Sequence, residues 1–300
     1  MAVRGIGQPD DSPISKSAML VVTACAVVSK EPAYARTFKD PYAAWFASAI
    51  SQEAAERLPT LDDPTLRAAF IKETERGLDG LVTHVVYCKP WIADRVQEAL
   101  QAGVEQLVIL GAGCDTLSLR LALPLAQAQV FELDRGPVID FRRRVLQEHS
   151  ALADNVQLLG VDLSCQDPGA VLKARGFDQN RPAIIVAEGV IEYLTGDAVE
   201  RLFAFAREMG ARSSRLIFTF LATKVYEQGD IDALRSELHE GGETLKFGLV
   251  PERIDQFLNA RGFRILEMAT PDKIKQKIVP LIAAPVGVIP GWHLVSAERE

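Results

Sequence analysis

Two rhythms of apolar and polar residues divide the chain. Between about residues 15 and 100, apolar positions recur three and four apart, the spacing of a buried helix face. AMLVVTACAVV at 18–28 reads as a buried helix, and DPYAAWFASAI at 40–50 opens on an Asp-Pro start. DPTLRAAFIKETERGL (63–78) and KPWIADRVQEALQAG (89–103) continue the pattern, with Gly103 as its stop. Beyond it, apolar runs of strand length appear at QLVIL (106–110), AQVFEL (128–133), VQLLGV (156–161), AIIVAE (183–188) and RLIFTFL (215–221). Helical patterns lie between them: TLSLRLALPL, PVIDFRRRVLQEH, DPGAVLKARG and GDAVERLFAFAREMGA. Continuous apolar strands alternating with helices predict an α/β protein, its parallel sheet covered on both faces. In the tail, PERIDQFLNARG (251–262) reads as a helix, RILEMAT (264–270) as a strand and WHLVSAERE (292–300) as the last strand. The Pro-rich PLIAAPVGVIPG between those two strands reads as a loop. A join without a helical pattern predicts that the seventh strand runs antiparallel. Residues 222–250 interrupt the alternation and read as an insertion over the edge of the site.

Composition narrows the partners. The chain has 300 residues, 48% of them hydrophobic, and a formal net charge of −7. That length buries a sizeable core without disulfides. No dense basic run offers a nucleic acid footprint; the arginines of FRRRVL (141–146) read as a solvated helix face. Cys25, Cys88, Cys114 and Cys165 form no Cys-x-x-Cys pair, which makes zinc and thioredoxin-like readings weak and fits free thiols in a cytoplasmic protein. No metal site is expected. Cys114 reads as a small loop filler. The segment 18–28 is too short to span a membrane, and residues 1–16 read as a mobile lead-in without a leader's apolar core.

In an open parallel sheet, ligands bind beyond the carboxyl ends of the strands, so those ends hold the candidate chemistry. The first ends in Gly111-Ala112-Gly113, a bend that brings a ligand close to the backbone. A pyrophosphate site would want glycine again at 116, where Thr116 stands. The second ends VFELD. Asp134 lies about 20 residues past the glycines, placed for ribose hydroxyls, with Glu132 as second choice. The third ends GVDLS, where Asp162 suits an adenine amino group and Leu163 the ring face; a helix cap is the alternative for Asp162. The fourth ends AEGVIEYL. Glu188 closes an apolar run, a costly place for a carboxylate without a cationic partner.

In this order LGAGCDTLSLRL, VFELD, GVDL and AEGVIEYL resemble the leucine carboxyl methyltransferase family, which includes polyketide O-methyltransferases of the tetracenomycin type. The resemblance extends to TACAVVSKEP, FKDPYAAWF and LKFGLVPERIDQFLNARGF, covering most of residues 17–299. It implies a class I methyltransferase fold: a seven-stranded, mostly parallel, Rossmann-like sheet (104–300) with an N-terminal helical lid (17–103). It implies S-adenosyl-L-methionine as methyl donor. Gly111 and Gly113 would lie against the methionine part, Asp134 would hold the ribose, Asp162 and Leu163 the adenine, and Glu188 would lie near the methionine amino group. The family carries an Arg-x-Arg motif for the donor's carboxylate. This chain reads THVVYCKPWIADR there, and Lys89 is the nearest match, a point charge without arginine's fork.

The resemblance implies an O-methyltransferase acting on a carboxylate or hydroxyl of a small-molecule or carrier-bound, polyketide-like acceptor. A carboxylate needs no base, whereas a phenol or alcohol does. His84, Tyr87, Tyr193 and His239 are the candidate catalytic residues, each with packing or solvent exposure as its competing role. A donor-binding regulatory or scaffold protein of the same fold is the alternative, and a nicotinamide-dependent oxidoreductase is disfavoured by Thr116. A homodimer is an open alternative to a monomer.

Overall fold

The computed structural model describes residues 12–34, 37–77, 80–223, 243–278 and 287–300. Five helices come first: α1 (Lys16–Val28), α2 (Ala43–Ile50), α3 (Gln52–Arg57), α4 (Pro64–Gly77) and α5 (Leu81–Gln101). Their starts are chemically explicit. Ser15 accepts from the Ala18 N–H at α1, and the Asp40 carboxylate takes the N–H groups of Tyr42 and Ala43 at α2. α5 begins eight residues before the Lys-Pro start read from sequence. Leu81 through Cys88 are all buried, so no polar face marks them as helical, and Pro90 sits inside the helix although it removes one backbone hydrogen bond. Gly103, at φ +88°, ends the helical region.

The sheet follows: β1 (Gln106–Leu110), β2 (Gln129–Asp134), β3 (Val156–Gly160), β4 (Ile184–Ala187), β5 (Arg215–Leu221), β6 (Phe263–Ala269) and β7 (Trp292–Arg299). Its order is β3-β2-β1-β4-β5-β7-β6. β7 pairs antiparallel with both β5 and β6, while the other pairings are parallel. The reversed final strand agrees with the sequence reading, but its reason does not. A helix, Pro271–Ile278, stands between β6 and β7. Its two isoleucines, Ile274 and Ile278, stand among four charges in a helix of two turns, too short a stripe to read. Between β1 and β2 the expected helix shrinks to α6 (Leu117–Arg120) followed by turns.

Alternate residues of each strand feed opposite cores. Leu107, Ile109, Val130, Ile184 and Val186 pack with α1, α2, α5 and the next helix, α7 (Gly136–Glu148). Val108, Leu110, Phe131, Leu133 and Ile185 pack with α8 (Pro168–Ala174), α9 (Gly196–Met209) and α10 (Ile254–Asn259). Full cover on both faces is why these strands read as unbroken apolar runs. The helix after β6, now α11, adds Ile274 to the first core. The insertion returns to the sheet: the Leu249 N–H donates to the Leu221 carbonyl, and the Thr223 N–H to the Leu249 carbonyl. Residues 1–11 of the lead-in, 224–242 of the insertion and 279–286 of the Pro-rich loop lie outside the described residues.

Candidate active site

Strand order reverses between β1 and β4, and a cavity of about 530 Å³ opens there beyond the strand ends. That volume is within the usual range for a small-molecule or cofactor site, about 300–1,000 Å³. Gly111, Gly113, Asp134, Asp162, Leu163, Glu188 and Lys89 all line it. Gly111 (φ +64°) and Gly113 (φ +46°) hold a conformation that side chains rarely take. A Cβ at Gly111 would come within 2.7 Å of Val190 Cγ2, so this position needs glycine for space as well.

Asp134 closes the bend from the next strand. Its Oδ2 accepts from the Gly113 N–H at 2.8 Å and its Oδ1 from the Arg135 N–H at 2.7 Å. Burial holds this carboxyl above its ordinary range, against the pull of those two donors. Glu132, the second choice, is withdrawn from the site. It is fully buried, gripped by Arg142 through two bonds of 2.6 Å and by the Ser118 hydroxyl at 2.5 Å. Arg142 also donates to the Asp115 carbonyl at 2.6 Å, bracing the glycine bend from behind. The FRRRVL arginines are therefore not all a solvated face. Arg142 is 1% exposed, because it falls on the same helix stripe as Val138, Val145 and Leu146. Asp162 folds onto its own loop, Oδ1 accepting from the Ser164 N–H and hydroxyl, and these bonds hold its carboxyl low.

Glu188 has the partner its position demands. Lys89 Nζ lies 2.9 Å from Glu188 Oε1 and 3.0 Å from Oε2, and also donates to Asp115. Lys89 is thus a buried cation held between two carboxylates. Their Coulombic pull outweighs desolvation and raises its ammonium above the ordinary range. Lys89 and Arg120 hold Asp115 low despite its burial, whereas burial and the Asp115 charge push Glu188 up. Arg120 also donates to the Thr116 hydroxyl at 3.1 Å, which donates to Asp40 at 2.5 Å. Asp115, Arg120 and Asp40 were missed from sequence. The available signal was an aspartate two residues past the last glycine; Arg120 and Asp40 gave none, since their meeting depends on the tertiary fold.

The four catalytic candidates separate. His84 lines the cavity, its Nδ1 3.3 Å from Cys88 Sγ and its ring edge-on to Trp292 at 5.2 Å. Burial and the nearby Lys89 ammonium push its imidazole down to about 3. Tyr193 also lines the cavity, its phenol raised by burial. Tyr87 is buried but not among the residues lining the cavity, and burial pushes its phenol up to about 12. His239 lies outside the described residues. Cys114 packs in the bend, buried, with its thiol pushed up to about 12.

A seven-stranded sheet with one reversed strand, a glycine bend at its switch point and an aspartate closing that bend define the class I methyltransferase fold. Within that class the chain belongs to the leucine carboxyl methyltransferase family, whose model matches residues 18–207. A Mycolicibacterium smegmatis protein named "Putative S-adenosyl-L-methionine-dependent methyltransferase" is 31% identical over 232 residues, 76% of this chain and 70% of that one. A Mycobacterium ulcerans protein of the same name is 41% identical over 119 residues, and the chain spans only 38% of its length. In structure, a protein from Thermobifida fusca described as a "putative methyltransferase" superposes with a TM-score of 0.58 at 19% identity. That match covers 97% of this chain and 96% of the other, and shows the fold alone.

Proposed function

We propose that the chain is an S-adenosyl-L-methionine-dependent O-methyltransferase acting on a carboxylate or hydroxyl oxygen of a small-molecule or carrier-bound acceptor. The observation that carries this reading is Asp134 seated against the Gly113 amide on the wall of a cavity of ligand size. The residues present fit the donor. Gly113 and Gly189 line open space, where an added Cβ would meet little or nothing. Asp134 is an anion for ribose hydroxyls, Asp162 and Leu163 flank the place for adenine, and Lys89 with Glu188 offers both charges to an amino acid head.

When bound, the donor supplies an activated methyl on sulfur. What remains for the chain is alignment and exclusion of water. Helix α1 contributes Ala18, Val21 and Val22 to the cavity wall, and we infer that the N-terminal helices act as its cover. Calorimetry with the donor and with its demethylated product tests the reading. Both should give binding heat, and Asp134→Ala should weaken donor binding by about 1–3 kcal/mol, the cost of a lost buried hydrogen bond. No heat from either ligand on folded protein refutes it.

The second reading, a donor-binding regulatory protein, draws on one observation: Lys89 is already held by two of the chain's own carboxylates. Donor binding without turnover across acceptors of both oxygen classes would favour it. Thr116 counts against nicotinamide chemistry, because it fills the third glycine's place and bonds inward to Asp40.

A further inference from the structure

The cavity wall includes the apolar Val22, Leu81, Ile289 and Trp292 as well as His84. Cys88, one helical turn on from His84, places its Sγ 3.3 Å from Nδ1. Of the two ways to share that proton, S–H donating to imidazole nitrogen is the better, since a thiol sulfur is a weak acceptor. The ring proton then resides on Nε2, and Nε2 has no hydrogen-bond partner among the described residues. Among the described residues the charged and titratable neighbours of the ring are Cys88 and Lys89 on its own helix, and neither favours an imidazolium. Trp292, packed edge-on to His84, brings no charge, and its buried indole N–H also finds no acceptor among the described residues.

We propose that His84 is an acceptor-positioning residue, fixed by the Cys88 thiol as the Nε2–H tautomer, which donates to an already ionised oxygen of an apolar acceptor lying against Trp292. This rests on the methyl-transfer reading above and deepens it. A ring so arranged holds an oxygen but does not take its proton. The acceptor oxygen forms its bond to the methyl carbon as the carbon–sulfur bond breaks. Its negative charge and the sulfonium's positive charge cancel, leaving a thioether and a methylated oxygen, so no proton has to be removed. The acceptor class is therefore an apolar molecule carrying an oxygen acid ionised near neutrality. An alcohol would need the base that His84 does not provide.

The test uses the whole protein with isotopically labelled donor, and octanoate and 3-phenylpropionate against 1-octanol and 3-phenylpropanol. His84→Gln keeps an N–H at about the reach of Nε2, whereas His84→Phe keeps a ring and removes the donor. Turnover is expected with the carboxylates and not with the alcohols. His84→Phe should raise the acceptor KM roughly tenfold to a hundredfold, the span of one hydrogen bond to a charged group, with donor binding unchanged by calorimetry. His84→Gln should recover most of that loss, which a base role would not allow. Cys88→Ala, which frees the tautomer, should raise KM by a smaller factor and serves where His84→Phe does not fold. Turnover of the alcohols alone, or of neither class by protein that binds donor, overturns the proposal. So does a His84→Gln variant whose kcat falls as far as that of His84→Phe. Absence of donor binding in the parent protein instead refutes the underlying methyl-transfer reading.

Discussion

Glu192 offers a direct physical test of how the site is framed. It lies on the turn after β4 with no exposed surface. Its Oε1 accepts from the Thr219 hydroxyl at 2.8 Å, and that hydroxyl accepts from the Gly189 N–H at 2.8 Å. Its backbone carbonyl takes the Lys246 N–H at 2.7 Å, tying the turn to the segment that returns from the insertion. Oε2 has no partner among the described residues. Burial, with the Glu188 charge adding to it, pushes the carboxyl from 4.5 up to about 8. The native state therefore keeps this proton where the unfolded chain has released it. Stability conferred by that proton is fully present below about 4.5, falls as pH rises to about 8, and is flat above. At 1.36 kcal/mol per unit the loss has a ceiling of about 5 kcal/mol. Glu192→Gln keeps the Thr219 bond and cannot ionise, at a cost of about 1 kcal/mol for an amide group left unpaired. Thermal melts of parent and variant across this window, at fixed ionic strength, isolate Glu192 because other titrations cancel in the difference. The variant should be equal or slightly weaker in acid, then gain on the parent with rising pH. At the alkaline end its Tm should be higher by up to about 8 °C, since about 4 kcal/mol remains after the amide's cost and 1 kcal/mol moves a chain of this size by about 2 °C. Parallel curves would refute the reasoning.

Three further substitutions probe the site's supports. Lys89→Met leaves Asp115 and Glu188 facing one another without their shared cation, and should cost about 3–5 kcal/mol in urea unfolding near neutral pH. Acidification should recover part of that loss as one carboxylate takes a proton, and donor binding should weaken in calorimetry. Arg142→Met should be destabilising by a similar 3–5 kcal/mol because Glu132 is left charged and buried; adding Glu132→Gln should restore most of the stability, read by the same denaturation curves. Gly111→Ala meets both a left-handed backbone and the Val190 methyl at 2.7 Å, and should weaken donor binding with about 1–3 kcal/mol of strain in the folded state.

The sheet and the strand ends that line the cavity were legible because their chemistry is local. Strands buried on two faces write unbroken apolar runs, and an aspartate at the end of β2 meets the glycine bend at the end of β1 through ordinary parallel pairing, Leu110 beside Leu133. Elements without a one-sided pattern were not legible. The first eight residues of α5 are buried all round, and α11 is only two turns long with two isoleucines, Ile274 and Ile278, so neither writes a sustained stripe. Arg142 misled for a different reason: charge pointed outward while position on the helix pointed inward, and only Glu132 on the neighbouring strand reverses the balance. Glu188 was legible as a carboxylate in need of a cation, but the cation proved to be Lys89, 99 residues earlier in the chain.

That last pairing bears on how the two halves of the sequence depend on each other. Lys89 of α5 reaches Asp115 and Glu188 at the ends of β1 and β4, and Asp40 at the start of α2 takes the Thr116 hydroxyl. Every one of these groups is buried or nearly so, and none can be left unpaired cheaply. The glycine bend without the N-terminal helices would hold Asp115 and Glu188 with no ammonium between them. The helices without the bend would bury a lysine without its carboxylates and leave Asp40, whose Oδ1 caps α2, without the Thr116 hydroxyl on Oδ2. The helical region and the sheet are therefore joined by charge as well as by the apolar core they share. A glycine bend built this way is set only when both halves are folded together.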